Sequence, residues 1–373
     1  MRINRRHFLG AAAAVGAAAL VQPGHLFAGQ ARTRRYSRPV YDAHFHWYPP
    51  EFGELIVKEG AANGVTDIRQ EGWNISAKIP GHHPYSGEGR ASFRRQNMTD
   101  VDMILKMADD REVDISVCTQ TNPHVLWANP AFGAKLARAI NDGNSALHVK
   151  HPKRFVGTIT LPMQDVKLAL EELERARKLP GLRGINMTEN ILGKNLHRKE
   201  FWPVWEKCEQ YGQPLFLKNV DPISERLVED DFSMMLTIGN TFEATIAATA
   251  LVLGGVMDAF PKLEVYLPHA GGFFAFATPR MDFAQKQGNF KQLKQPVSAY
   301  LRRFHYDLIL HSPKLTRTLI DQVGADRVVS GTDYPQAMAI VKPIDYVESI
   351  PGITKREAEM ILCENPARLL GMS

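Results

Sequence analysis

From residue 40 onward, short apolar runs rich in Val, Ile, Phe and Tyr alternate with longer stretches whose apolar positions recur at helical spacing. Eight of these runs predict strands: Val40-Tyr41-Asp42, Ile115-Ser116-Val117, Phe155-Val156-Gly157-Thr158-Ile159, Gly184-Ile185-Asn186, Pro214-Leu215-Phe216-Leu217, Leu263-Glu264-Val265-Tyr266-Leu267, His305-Tyr306-Asp307-Leu308 and Arg327-Val328-Val329-Ser330. Helix signals fall between them. Asn129 and Pro130 supply an N-cap and a first helical position ahead of Phe132, Leu136 and Ile140 on one face. Asp165 opens a second helix with Val166, Leu170 and Leu173, and Pro180 closes it. The alternation predicts an α/β chain folded as a TIM-type (βα)8 barrel, in which catalytic residues gather at the C-terminal strand ends. Two stretches depart from a minimal barrel and predict long loop insertions after strands 1 and 5, hence a distorted one. The first runs from His46 to about Asp100 through Gly81-His82-His83-Pro84; the second, Asp221 to Asn240, carries Glu229, Asp230 and Asp231.

Ahead of the barrel stands Asn4-Arg5-Arg6-His7-Phe8-Leu9-Gly10, then an Ala/Val/Leu-rich run from Ala11 to Val21. This segment resembles a twin-arginine signal peptide over residues 1–28, with cleavage between 28 and 31, and leaves a barrel domain at 36–373. The apolar run is about half of the roughly 20 residues that span a bilayer, so no stable membrane anchor is expected. Export to the periplasm or beyond is the implied location.

Composition adds limits. Of 373 residues, 44% are hydrophobic and 23% charged, values of a folded globular chain. The formal charge of +5 includes Arg2, Arg5 and Arg6, with no acid among the first 28 residues, and falls to +2 without them. No basic stripe remains to bind nucleic acid. Cys118, Cys208 and Cys363 are odd in number and scattered, which suits buried free thiols.

His44 and His46 flank Phe45 at the end of the first predicted strand, where alternation points both imidazoles to one side. Two neutral imidazoles converging on one point are suited to a divalent cation such as zinc. Three ordered blocks extend the signal: Asp42-Ala43-His44-Phe45-His46, then Phe260-Pro261-Lys262 through His269-Ala270-Gly271-Gly272 to Arg280, then Gly331-Thr332-Asp333-Tyr334-Pro335. Together with the terminal Asn365–Gly371, they resemble the amidohydrolase-related proteins similar to aminocarboxymuconate semialdehyde decarboxylase. The resemblance implies that His44, His46 and Asp333 bind one divalent metal ion, that His269 is catalytic and that Arg280 grips a substrate carboxylate. It also implies a small, anionic substrate and a homodimer. Such a metal lowers the pKa of bound water, and an adjacent His or Asp takes the proton. The two glycines after His269 permit close approach of backbone to a ligand. Glu243 sits in a similar stretch, where the helix dipole explains a first-turn glutamate equally well.

One position breaks the pattern. The family's fifth strand ends in a third metal-binding histidine, and here Lys218 stands in its place. An ammonium has no lone pair to give. Either the metal is retained, with Lys218 deprotonated or carbamylated or with Asn219, Asp221, His82 or His83 substituting, or the ammonium itself polarises a carbonyl in a metal-free lactonase. The leading expectation is hydrolysis of an ester, lactone or amide of a small organic acid, with His269, Asp333 and Lys218 catalytic and Arg280 and Asn219 binding substrate. The alternatives are non-oxidative decarboxylation of an unsaturated or aromatic acid, and an inactive binding protein.

Overall fold

The computed structural model describes residues 34–80, 91–219 and 233–372. The chain divides into two units, Met1–Arg35 and Tyr36–Ser373. The second is built around seven parallel strands that adjoin in chain order: β1 (Tyr41–His46), β2 (Ile115–Thr119), β3 (Phe155–Thr160), β4 (Leu182–Thr188), β5 (Leu215–Lys218), β6 (Val265–Leu267) and β7 (Phe304–Tyr306). Each coincides with a predicted run.

The eighth run forms no regular strand, yet it joins the two sheet edges. Val328 bridges to Tyr306 and Tyr334 to Phe45, both in parallel. Ser330 accepts from the Ala43 amide at 2.7 Å, and Asp333 donates to the His44 carbonyl at 2.8 Å. The sheet therefore curls into a closed ring whose eighth position is irregular. Gly331 allows close packing at this position, where a Cβ would lie 2.1 Å from the Tyr266 hydroxyl.

Strand alternation builds two layers. Leu215 and Leu217 of β5 join the large core beneath the surrounding helices, whereas Phe216 stacks obliquely on Tyr266 inside the ring, their centroids 5.1 Å apart. The helices begin as their caps dictate. Asn129 Oδ1 accepts from the Phe132 amide ahead of Pro130–Lys150, and Asp165 does the same for Leu168 ahead of Val166–Ala176. All three cysteines are buried and free. The apolar stretch Met235–Leu253 is long enough to cross a bilayer, and it buries Ala244, Ala247, Ala248, Leu251 and Val252 in this fold.

The interval between β1 and β2 is not the wandering chain that its Gly and Pro content suggested. It holds a helix, Pro50–Glu59, and a three-stranded antiparallel sheet of Thr66–Glu71, Asn74–Lys78 and Ala91–Arg94. Phe52, Ile56, Ile75 and Phe93 pack there with Phe132, Leu136 and Ile140 as a separate core. His82 and His83 lie outside the described residues, as do Asp221 and the acidic cluster at 229–231.

Candidate active site

His44, His46, Lys218, Asn219, His269 and Asp333, all singled out in the sequence, gather at the C-terminal strand ends. His44 and His46 leave β1 buried, each 2% exposed, and Asp333 reaches them from the irregular eighth position. Asp333 Oδ1 lies 2.7 Å from His46 Nε2 and 3.2 Å from His44 Nε2. Burial pushes the His46 pKa down to about 4, more than its hydrogen bond to Asp333 restores, so this imidazole is neutral. For Asp333 the bonds from the two histidines outweigh burial and hold its carboxyl well below the usual carboxylate range.

Asp307, at the end of β7, carries no such prediction from sequence and organises the site. Its carboxylate lies 3.0 Å from His44 Nδ1 and accepts the amides of His269, Ala270 and Ile309 at 3.0, 2.7 and 3.1 Å. Burial and the Lys218 charge press the His44 pKa down, but the bonds to Asp307 and Asp333 prevail and raise it. The amides converge on Asp307 because the backbone turns left-handed over four residues, with φ of +52° at His269, +54° at Ala270, +71° at Gly271 and +60° at Gly272. Asp333 is also left-handed, at φ +63°. Non-glycine residues in this region store backbone strain, which concentrates at functional sites. Gly272 also serves packing: a Cβ there would lie 1.9 Å from the Thr241 carbonyl of the neighbouring helix.

Lys218 ends β5 inside the ring, 1% exposed. Its Nζ makes no hydrogen bond among the described residues and lies 5.6 Å from the Tyr266 ring centroid. Burial draws its pKa down to about 7, against the pull of Asp307, Asp333, Asp42 and Glu189. Asn219 is buried alongside and donates to Glu189 Oε2 at 3.2 Å. Glu189, unremarked in the sequence, has its pKa raised well above the usual value by burial and by the charge of Glu243. Glu243 lies in the first turn of the helix Asn240–Leu253, as expected, and is 1% exposed. His269 is partly buried, its ring 5.9 Å from that of His44; burial lowers its pKa.

Beneath the site Asp42 accepts from Arg111 at 2.8 Å and from the Thr332 amide at 3.0 Å. Arg111 was also missed by sequence reasoning. Arg280 differs from the rest: it is exposed on the helix Phe274–Lys286 and makes no hydrogen bond or ion pair among the described residues. The structure does not bring it to the buried cluster.

The donor set fits a divalent cation. One ligand atom from each of His44, His46 and Asp333 lies within 4.8 Å of the others, all three residues being buried. Asp307 occupies His44 Nδ1 and leaves Nε2 facing Asp333, the outer-sphere arrangement that orients metal-binding imidazoles. Two imidazoles and a carboxylate suit zinc or manganese. A protonated Lys218 adds no ligand.

The chain is 29% identical over 338 residues to a 2-amino-3-carboxymuconate-6-semialdehyde decarboxylase of Dictyostelium discoideum, a match covering 89% of this chain and 91% of that protein. It is 28% identical over 258 residues to a gamma-resorcylate decarboxylase of Polaromonas sp., covering 65% and 79% of the two chains. A dihydroxybenzoic acid decarboxylase structure from Polaromonas sp. JS666, with bound manganese and the inhibitor 2-nitroresorcinol, superposes with a TM-score of 0.71 at 21% identity, over 90% of this chain and 97% of that one. The sequence profile described as amidohydrolase matches residues 41–372, from the first barrel strand to the terminal helix, and the chain belongs to that family.

Proposed function

We propose that the protein is a divalent-metal-dependent, non-oxidative decarboxylase of a small unsaturated or aromatic acid. The supporting observation is the similarity to a decarboxylase across nine-tenths of the chain. It displaces the hydrolysis expected from the sequence, because the same donors serve either reaction. His44, His46 and Asp333 would hold the metal, manganese or zinc, which supplies electrophilic pull on the substrate oxygens.

Decarboxylation exchanges a carbon–carboxylate bond for a carbon–hydrogen bond: the electron pair stays on carbon, carbon dioxide leaves, and a proton must arrive. His269 is the donor in this reading. Its ring is placed by the two backbone amides that Asp307 fixes, and it draws a fresh proton from solvent after each turnover. Asp333 stays ionised beside the histidines. Lys218 and Asn219, buried at the end of β5, would present an amine and an amide to the anionic substrate. Burial of this set excludes water, which strengthens each electrostatic contact.

The test is a panel of aromatic acids, unsaturated acids, lactones and esters, with protein purified without chelator. Carbon dioxide release, and deuterium at the vacated carbon in heavy water, is the expected result. Ester or lactone cleavage with no carbon dioxide from any acid would return the reaction to hydrolysis. Metal analysis of the same sample identifies the ion. Export through the twin-arginine pathway belongs to the same reading and rests on Arg5, Arg6 and the apolar run that follows. Arg5→Lys together with Arg6→Lys is expected to trap the uncleaved chain in the cytoplasm. Light scattering of the purified protein tests the expected homodimer.

A further inference from the structure

Asp333 holds φ of +63°, a strained conformation for a residue other than glycine, and such strain persists only where the surroundings impose it. Part of the constraint is backbone pairing. The Asp333 amide donates to the His44 carbonyl at 2.8 Å, and the Tyr334 carbonyl accepts from the His46 amide at 2.9 Å. Asp333 is thereby pinned between the two histidines of β1.

The rest of the constraint comes from Arg111, which closes the helix Val101–Asp110 and lies 221 positions from Thr332 in the chain. Its Nη2 donates to Thr332 Oγ1 at 2.6 Å and to Asp42 Oδ2 at 2.8 Å, its Nε donates to the Val341 carbonyl at 3.2 Å, and its guanidinium lies 3.9 Å from the centre of the Tyr334 ring. Both chain neighbours of Asp333 are therefore in contact with one side chain. Asp42 Oδ1 completes the link, accepting from the amides of Thr332 at 3.0 Å and His44 at 3.2 Å. The Ile340 amide donates to the Thr332 carbonyl at 2.9 Å, so the loop from 332 to 341 has both of its ends on Arg111.

Fold stability is a poor reason for such a pair. Arg111 and Asp42 are 3% and 0% exposed, and well-packed apolar residues in place of a buried ion pair are often neutral or stabilising. Arg111 Nη1 is moreover buried with no hydrogen bond among the described residues, so part of its desolvation goes uncompensated. What the guanidinium supplies is geometry: a rigid planar fork for three oxygens and a face for an aromatic ring, which the point charge of a lysine cannot reproduce.

We propose that Arg111 is a positioning residue for the metal centre, holding Asp333, through Asp42, Thr332 and Tyr334, where its carboxylate converges with His44 and His46 on one cation. The assignment rests on the metal-dependent reading above.

Calorimetric titration of the chelator-treated full chain with manganese chloride tests it. Arg111→Met should weaken binding about 10–100-fold, the cost of losing an outer-sphere partner. Arg111→Lys keeps the charge opposite Asp42 and carries the test if the methionine variant does not fold; it should still bind at least about ten-fold more weakly. At saturating metal, the electron paramagnetic resonance spectrum of the bound manganese should differ from that of the parent in either variant. Arg175→Gln, which breaks the pairs of Arg175 with Glu172 and Asp142 on other helices, should alter neither reading. Parent-like affinity or a parent-like spectrum in the folded Arg111 variants, or an equal change in Arg175→Gln, would overturn the role of Arg111 alone. No manganese binding by the parent would overturn the metal centre and this role with it.

Discussion

Each end of the barrel carries a buried histidine paired with a carboxylate at hydrogen-bond distance, and the two pairs titrate in opposite directions. His44 lies 3.0 Å from Asp307 and is raised; His305 lies 2.7 Å from Glu264 and is lowered. Distance does not decide the outcome. Burial depresses both imidazoles, and the surrounding charges then settle the sign: His44 has the carboxylates of Asp307 and Asp333 against Lys218, whereas His305 has Glu264 against Arg327 and Arg368. The carboxylates differ as well. Asp307 is fully buried and holds three backbone amides, while the Glu264 side chain is 48% exposed and screened by solvent. The upper pair therefore fixes a piece of backbone and a ligand atom, and the lower pair leaves an imidazole nitrogen free.

Breaking the upper end should have the largest consequence. Asp333→Asn preserves shape but removes the charge shared by His44 and His46, and should lower kcat/KM by more than the roughly 10–100-fold cost of losing an outer-sphere partner, because a carboxylate that would hold the ion is lost. Retention of activity within a small factor of the parent would remove Asp333 from the chemistry. Asp307→Asn should cost about 3–5 kcal/mol in urea unfolding, because one partner of a buried charged pair is lost. It should also weaken divalent-metal affinity by about 10–100-fold. A stability loss comparable to that at Glu264 would show that burial does not distinguish the two ends.

The barrel was legible because its strands are apolar on both faces and its helices carry ordinary caps, as at Asn129 and Asp165. The eighth position was legible as a run but not as an irregular one, since its pairing to Tyr306 and Phe45 through isolated bridges is set by distant strands. The antiparallel sheet of 66–94 was missed because its first strand, Thr66–Glu71, is almost wholly exposed and polar and offers no periodicity. The candidate metal donors His44, His46 and Asp333 could be read from local blocks. Asp307 could not, although an aspartate closing an apolar strand was the available signal; its partner His44 lies 263 positions away. Glu189 depends in the same way on Glu243 and Lys218, which only the fold brings near. The choice between hydrolysis and decarboxylation was illegible because both use one donor set.

Lys218 sharpens the comparison through pH. Its pKa falls from an ordinary 10.5 to about 7 on burial. Between these values the unfolded chain binds more protons than the folded one, so stability rises with pH across the window. The penalty is fully present below about pH 7 and fades as pH climbs toward 10.5. Chelator-treated protein should gain about 2 kcal/mol in urea unfolding from pH 7 to 9, and Lys218→Met should abolish that slope. A slope surviving in the variant would place its origin elsewhere.

The smallest effect is expected at the lower end. Glu264→Gln keeps a hydrogen-bond acceptor for His305 and removes a half-exposed charge, whose pairings with His305 and Arg327 are weakened by water. The change in unfolding free energy should stay within about 1 kcal/mol, several-fold less than for Asp307→Asn, although the lower pair is the shorter by distance. A large loss of stability would mean that Glu264 anchors the fold as Asp307 does.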